Sequence, residues 1–263
     1  MTKDWKTRTQ LVHEGVRRSQ YGEMAEAIFL TQGFVYPTAE SAEARFVKAG
    51  EDEFIYARYG NPTTRMFEDR IAALEGTEDA FATATGMAAV FASFMSFLNS
   101  GDHIICSRAI FGATHTVIGQ FLSRWNISAD LVDIRQPDSW QQHVRPNTKM
   151  FFLETPSNPG LEIVDLALAG QFAEKNGLLL NVDNCFATPY LQQPAHFGAQ
   201  LITHSATKFI DGQGRVMGGA VCGSKKLIAE VRKFCRSTGP SLSPFNAWVL
   251  SKSLETLAVR LDR

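Results

Sequence analysis

Several things are missing from this sequence, and each absence removes a class of function. No run reaches the roughly twenty apolar residues that a membrane-spanning helix needs, and the amino terminus "MTKDWKTRTQ" is polar, without the apolar core of a signal peptide. A cytoplasmic protein is expected. Neither sign of charge is in excess: 26 Lys and Arg stand against 27 Asp and Glu, mixed along the chain, for a net charge of −1. That balance offers no footprint for nucleic acid and no polybasic membrane anchor, so a small-molecule partner is the expectation. Cysteine is scarce, and Cys106, Cys185, Cys222 and Cys235 lack the close pairing of zinc or redox motifs. Buried free thiols in a reducing compartment are expected, with no metal site. Internal repeats and low-complexity tracts are absent. So is the G-x-S-x-G elbow of serine hydrolases. The glycine cluster "GQGRVMGG" does not open a helix after a first strand, as a nicotinamide-binding fingerprint would.

What is there is an ordinary apolar fraction, 44% over 263 residues, enough to bury a full-sized core. From about Glu78 onward, short apolar runs alternate with longer helical patterns, the rhythm of an α/β protein with a largely parallel sheet. Seven strands are predicted, in "DAFATAT", "DHIICS", "ADLVDI", "TKMFFLET", "LLLNVD", "AQLITHSA" and "GGAVCG". Helices are predicted in "MAAVFASFMSFLN", "THTVIGQFLSRW", "DSWQQHV" and "DLALAGQFAEKNG", most closed by Asn or Gly.

The first sixty or so residues differ, with few periodic elements and the tyrosine-rich turn "FIYARYGNPTTRMFEDRIAALEG". Such an arm more often crosses to a partner subunit or covers the body's surface. At the other end, "SPFNAWVLSKSLETLAVRLDR" reads as a helix from near Pro244 that meets no stop signal before Arg263. Three regions follow: an arm over 1–60, a large domain over 61–243, and the start of a linking helix over 244–263.

In an open parallel sheet, ligands bind beyond the carboxyl ends of the strands. Polar residues at those ends are therefore candidates. "ATATGMAA" places Thr85, Gly86 and Met87 at a strand-to-helix junction, which is either a plain cap or a cradle whose N–H groups and helix dipole suit a phosphate. Asn158 in "LETPSNPG" is either a turn residue or a ligand contact. Asp183 ends the apolar run "LLLNVD", and a buried carboxylate needs a cation or donors. Ser205, Thr207 and Lys208 lie together in "HSATKF". Alone, Lys208 would be a solvated surface residue. Together, a phosphate cradle, a buried acid, a hydroxyl pair and an amine are the parts that pyridoxal phosphate requires.

The ordered set "YARYGNPT", "TATGMAA", "ETPSNP", "VDNCFATPYLQQP", "HSATKFIDGQGR" and "SLSPFNAW" resembles the Cys/Met-metabolism family of pyridoxal-phosphate enzymes. The resemblance implies the aspartate-aminotransferase-like fold, fold type I, with a mostly parallel seven-stranded sheet flanked by helices. It also implies pyridoxal 5'-phosphate as cofactor, and makes Lys208 the lysine that joins the cofactor's aldehyde and Asp183 the partner of its ring nitrogen. Gly86 and Met87 would give backbone N–H groups to the phosphate, and Ser205 and Thr207 their hydroxyls. Asn158 would lie beside the ring hydroxyl and Phe111 on the ring face. Tyr56 and Arg58 would reach the cofactor of a neighbouring subunit, which implies a dimer at least and a homotetramer built as a dimer of dimers.

"DGQGR" and "LSPFNAW" most resemble the members that exchange the succinyl group of O-succinyl-L-homoserine for sulfide, giving L-homocysteine and succinate in methionine biosynthesis. The alternatives within the family are cystathionine γ-synthase and the γ-lyases. This chain departs from the family at Phe111, where many members carry tyrosine, at Ala113, where a hydroxyl is common, and at Thr85, which stands for serine. The family's smaller carboxyl-terminal domain, with an arginine for the substrate's α-carboxylate, would follow "SLETLAVRLDR" and is absent. The expectation is a fragment of a longer enzyme, or else a non-catalytic remnant that binds cofactor or a partner subunit.

Overall fold

The computed structural model describes residues 4–50 and 52–263; residues 1–3 of the polar amino terminus and residue 51 of the arm lie outside the described residues. The arm region holds α1 (Thr7–His13) and α2 (Ala39–Val47), and α3 (Pro62–Glu75) follows. Then come β1 (Asp79–Thr83), α4 (Gly86–Met95), β2 (His103–Ser107), α5 (Gly112–Thr116), β3 (Ser128–Val132) and β4 (Thr148–Glu154). The remainder is α6 (Leu166–Lys175), β5 (Leu179–Asp183), α7 (Thr188–Leu191), β6 (Leu201–Ser205), β7 (Gly219–Gly223), α8 (Lys225–Thr238), α9 (Pro244–Leu254) and α10 (Leu257–Asp262).

Among the described residues the seven strands form one sheet in the order β1-β7-β6-β5-β4-β2-β3, and each lies within the stretch expected for it except β3, which starts one residue earlier, at Ser128. β2 to β6 pair in parallel, while β7 runs antiparallel to both β1 and β6. An even number of reversals makes β1 run the same way as β6. The carboxyl ends of β1, β2, β4, β5 and β6 therefore share one edge. Alternation along each strand sorts side chains onto two faces. Ile105, Phe151, Leu153, Val182 and Ile202 join α3, α6 and α9 on one side, and Ile104, Phe152, Leu201 and Val221 join α4 and α8 on the other. Each fully buried Phe or Ile adds roughly 1.5–3 kcal/mol.

Local chemistry sets the helix ends. Asn61 caps α3 by accepting from Thr63 N–H at 2.8 Å, Pro62 fills its first turn, and Gly76 closes it at φ 71°. The tyrosine-rich stretch is thus irregular only as far as Gly60; from Pro62 it is a largely buried helix packed on β1 and α9. Arg70 of α3 is fully buried, and its guanidinium donates to Glu14 O, Ser251 O and the Glu26 carboxylate.

Three predicted helices take other forms. "THTVIGQFLSRW" becomes the short α5, a π-type turn over Val117–Phe121 and a 3-10 turn over Leu122–Trp125, stopped by Asn126 at φ 58°. Its Thr, Val, Ile and Gly content weakens a regular α-helix. "DSWQQHV" is 3-10 rather than α, over Pro137–His143. The terminal helix breaks between α9 and α10 at Glu255 and Thr256. There Arg260 donates to Ser253 O at 3.0 Å, which also accepts from Thr256 N–H at 3.2 Å, and to Phe209 O and Ile210 O. All four cysteines are buried and unpaired. Among the described residues no helix is long and apolar enough to cross a membrane.

Candidate active site

The shared strand edge opens into a cavity of about 220 Å³. Its wall brings together eight of the predicted residues, Gly86, Met87, Phe111, Asn158, Asp183, Ser205, Thr207 and Lys208, although they span more than a hundred positions of sequence. Topology explains the meeting. Asp183 ends β5, Ser205 ends β6, and Gly86 and Met87 open α4 just after β1.

Thr85 is the N-cap of α4, its hydroxyl accepting from Ala88 N–H at 3.1 Å, so the plain capping role holds for its side chain. Capping leaves Gly86 and Met87 N–H at the cavity, since the first N–H groups of a helix have no intrahelical acceptor. Residue 86 has to be glycine. A Cβ there would lie 2.7 Å from Ser205 Cα, because α4 starts hard against the end of β6.

Thr207 lines the same wall, but its hydroxyl donates to Gly218 O at 3.2 Å and accepts from Gly218 N–H at 3.1 Å. Lys208 is exposed in the turn after β6, its backbone held by Ser205 O at 3.2 Å and by Gly212 N–H at 2.7 Å. No ion pair to it occurs among the described residues. Asn158 sits in the turn after β4, as its turn chemistry suggests, and also faces the cavity.

The acids decide the electrostatics. Asp183, buried, accepts from Cys185 N–H at 3.1 Å. Burial pushes its carboxyl up to about 6, against the opposing effects of His204 and that N–H. Sequence reasoning missed its neighbour Glu154, which ends β4, pairs in register with Asp183 and lines the same cavity. Burial and the Asp183 charge push Glu154 up to about 8, although Phe111 N–H donates to its Oε2 at 2.6 Å. The signal was in the sequence: "FFLE" and "LNVD" both close an apolar run with an acid. Behind this wall, His204 Nε2 lies 2.6 Å from Glu75 Oε1, both groups fully buried, and Asn184 Nδ2 donates to the same oxygen at 2.8 Å.

Tyr56 and Arg58 are not brought to this cavity. Tyr56 is half exposed in a bridge with Gly33, and Arg58 lies over the rings of Tyr56 and Tyr59 at 5.4 and 5.0 Å while donating to Arg236 O.

Residues 8–263 match the family described as Cys/Met metabolism PLP-dependent enzyme. The chain belongs to that family. An O-succinylhomoserine sulfhydrylase of Pseudomonas aeruginosa is 50% identical over 97% of this chain and 63% of its own length. An L-methionine gamma-lyase of Porphyromonas gingivalis is 36% identical over 97% of this chain and 64% of its own. A crystal structure from Campylobacter jejuni, assigned as an O-acetylhomoserine (thiol)-lyase, superposes with a TM-score of 0.93 at 31% identity over 98% of this chain and 72% of that one, and contains N'-pyridoxyl-lysine-5'-monophosphate. The chain spans under two thirds of the length of these two curated relatives.

The fold is accordingly that of the fold type I enzymes of the Cys/Met-metabolism family, and the cofactor is pyridoxal 5'-phosphate. The cavity fits that molecule. Two helix-start N–H groups suit its phosphate. An unpaired buried acid suits a ring cation, and an amine free of ion pairs suits an aldehyde.

Proposed function

We propose that the whole protein catalyses γ-replacement on O-succinyl-L-homoserine, with sulfide as the second substrate and L-homocysteine and succinate as products. The observation that carries this reading is the 50% identity to an O-succinylhomoserine sulfhydrylase, against 36% to a methionine γ-lyase. The coarser statement, a pyridoxal-phosphate enzyme of γ-replacement or γ-elimination type, rests on the family itself.

When bound, the cofactor supplies an electron sink for charge that develops on the substrate carbons. The chain's own groups do the rest. In this reading Lys208 gives the amine for the aldehyde, and afterwards its Nζ takes protons from Cα and Cβ of the substrate and returns them. The γ C–O bond breaks with its electron pair leaving on succinate, and hydrosulfide forms the new C–S bond. Asp183, ionised, holds a proton on the ring nitrogen. Gly86 and Met87 N–H bind the phosphate, with Ser205 and Thr207 beside them; Thr207 must release Gly218 O to donate its proton there. Phe111 covers one ring face and Asn158 stands by the ring hydroxyl.

Tyr56 and Arg58, outside this cavity, are assigned to the site of a second subunit, where a guanidinium can grip phosphate with two parallel bonds. The arm region exposes large apolar side chains, among them Tyr21, Met24 and Val35 at 84%, 91% and 92%, which suits burial in a dimer of dimers. The region boundaries at residues 60 and 243 and a cytoplasmic location complete the proposal. The test is to mix purified whole protein with O-succinylhomoserine and sulfide. Homocysteine is the expected product. Cystathionine formed from added cysteine in its place would make the protein a synthase of the same family, and release of ammonia and a 2-oxo acid a γ-lyase.

A further inference from the structure

We propose that Glu154 is a positioning residue of the cofactor site, a carboxyl kept in its neutral form that seats the Phe111 ring by gripping that residue's backbone N–H. The proposal rests on the reading of the cavity as a pyridoxal-phosphate site, and it assigns a role to a side chain that reading leaves unused.

The geometry begins with register. Glu154 and Asp183 are direct partners on the parallel strands β4 and β5. Neighbouring strands lie roughly 4.8 Å apart, and paired residues point to the same face. Both side chains are nearly excluded from water, at 4% and 8% exposure. Two carboxylates so placed in a weakly polarisable wall repel each other strongly, so one keeps its proton. Asp183 has Cys185 N–H at 3.1 Å and the buried His204 behind it, and is the easier to ionise. Glu154 accepts from Phe111 N–H at 2.6 Å, and Asn158 N–H also favours its charged form, yet burial and the Asp183 charge push it up to about 8, which agrees with the neutral form near pH 7. The other titratable groups facing this pair are Cys185 and Lys208 on the cavity wall and buried Cys106 on β2.

The Phe111 bond matters because it ties the start of α5 to the end of β4. Phe111 precedes the five-residue α5, lines the cavity and is 44% exposed, while its carbonyl accepts from His115 N–H at 3.0 Å. Its backbone is pinned where Phe111 N–H meets Glu154 Oε2, across 43 positions of sequence. A carbonyl oxygen is all that this contact needs, so an amide should serve as well as a neutral acid.

The experiment titrates pyridoxal phosphate into cofactor-free wild type, Glu154→Gln and Glu154→Ala, following absorbance, with thermal melting of the cofactor-free proteins alongside. Glu154→Gln is expected to stay within about threefold of wild-type affinity, and Glu154→Ala to weaken it about tenfold or more, the loss of one buried hydrogen bond. A second measurement does not depend on the alanine variant folding. The wild-type minus Glu154→Gln infrared difference at pH 7 should contain the C=O stretch of a protonated carboxyl. A Gln variant as weak as the Ala variant, an Ala variant that binds like wild type while melting lower, or a difference spectrum showing only carboxylate would each overturn the proposal. Wild type that takes up no pyridoxal phosphate would instead overturn the functional reading, with the infrared result still deciding the state of Glu154.

Discussion

Among the places where this molecule buries carboxyl groups, two treat them in opposite ways. Under α3, burial would raise Glu26, but Arg70 at 2.6 Å and Lys252 at 3.1 Å prevail and hold its carboxyl below the ordinary range. At the strand edge, Glu154 and Asp183 have no cation within ion-pair distance among the described residues, and burial lifts both to about 8 and about 6. An acid matched by its own scaffold belongs to the fold. An acid left wanting a cation belongs to a site that expects one.

The largest effect that sharpens this contrast is loss of the amine. Lys208→Ala in the whole protein is expected to lower homocysteine formation by about a thousandfold or more, while the denaturation midpoint stays within about 0.5 kcal/mol of wild type. A variant that keeps turnover would detach Lys208 from the chemistry. Next, Arg70→Ala leaves buried Glu26 with Lys252 alone and unpairs the Glu14 and Ser251 carbonyls, and should cost about 3–5 kcal/mol in urea denaturation. A cost below about 1 kcal/mol would erase the difference between the two regions.

Asp183→Asn should do the reverse. The cofactor-free protein is expected to be no less stable at pH 8, while cofactor affinity falls about tenfold or more, read by absorbance titration. The pH dependence should also carry opposite signs. Glu26, depressed when folded, contributes stability above its unfolded pKa that is lost as pH falls. Glu154, raised when folded, binds its proton more tightly in the native state. Stability of the cofactor-free protein should therefore fall as pH rises from 4.5 to about 8, with a slope up to about 1.4 kcal/mol per pH unit. In Glu154→Gln that slope should flatten in thermal melts. The smallest effect is Thr85→Ala, which removes the cap of α4 at a cost of about 1 kcal/mol, measurable in the same melts.

Much of this was legible in the residues. The seven apolar runs located every strand, and the residues at their ends located Gly86, Met87, Asn158, Asp183, Ser205, Thr207 and Lys208 of the cavity, while Phe111 came only from the family resemblance. Glu154 was passed over because its run leads into "TPSNPG", whose turn chemistry drew attention to Asn158 instead. The helix over Pro62–Glu75 was hidden behind a tyrosine-rich turn, although Asn61, Pro62 and Gly76 mark its ends. "THTVIGQFLSRW" kept a helical period but lacked the propensity to hold a regular helix.

Period and punctuation are local properties, so the sequence by itself determined the elements, their alternation and which chemistry stands at their ends. Only the tertiary structure decided that β7 inserts antiparallel between β1 and β6, that Glu154 stands beside Asp183, and that Tyr56 and Arg58 fall outside the cavity. Strand order, register and the ionisation of neighbouring acids depend on contacts between residues far apart in the chain, and those energies exist only once the layers have packed.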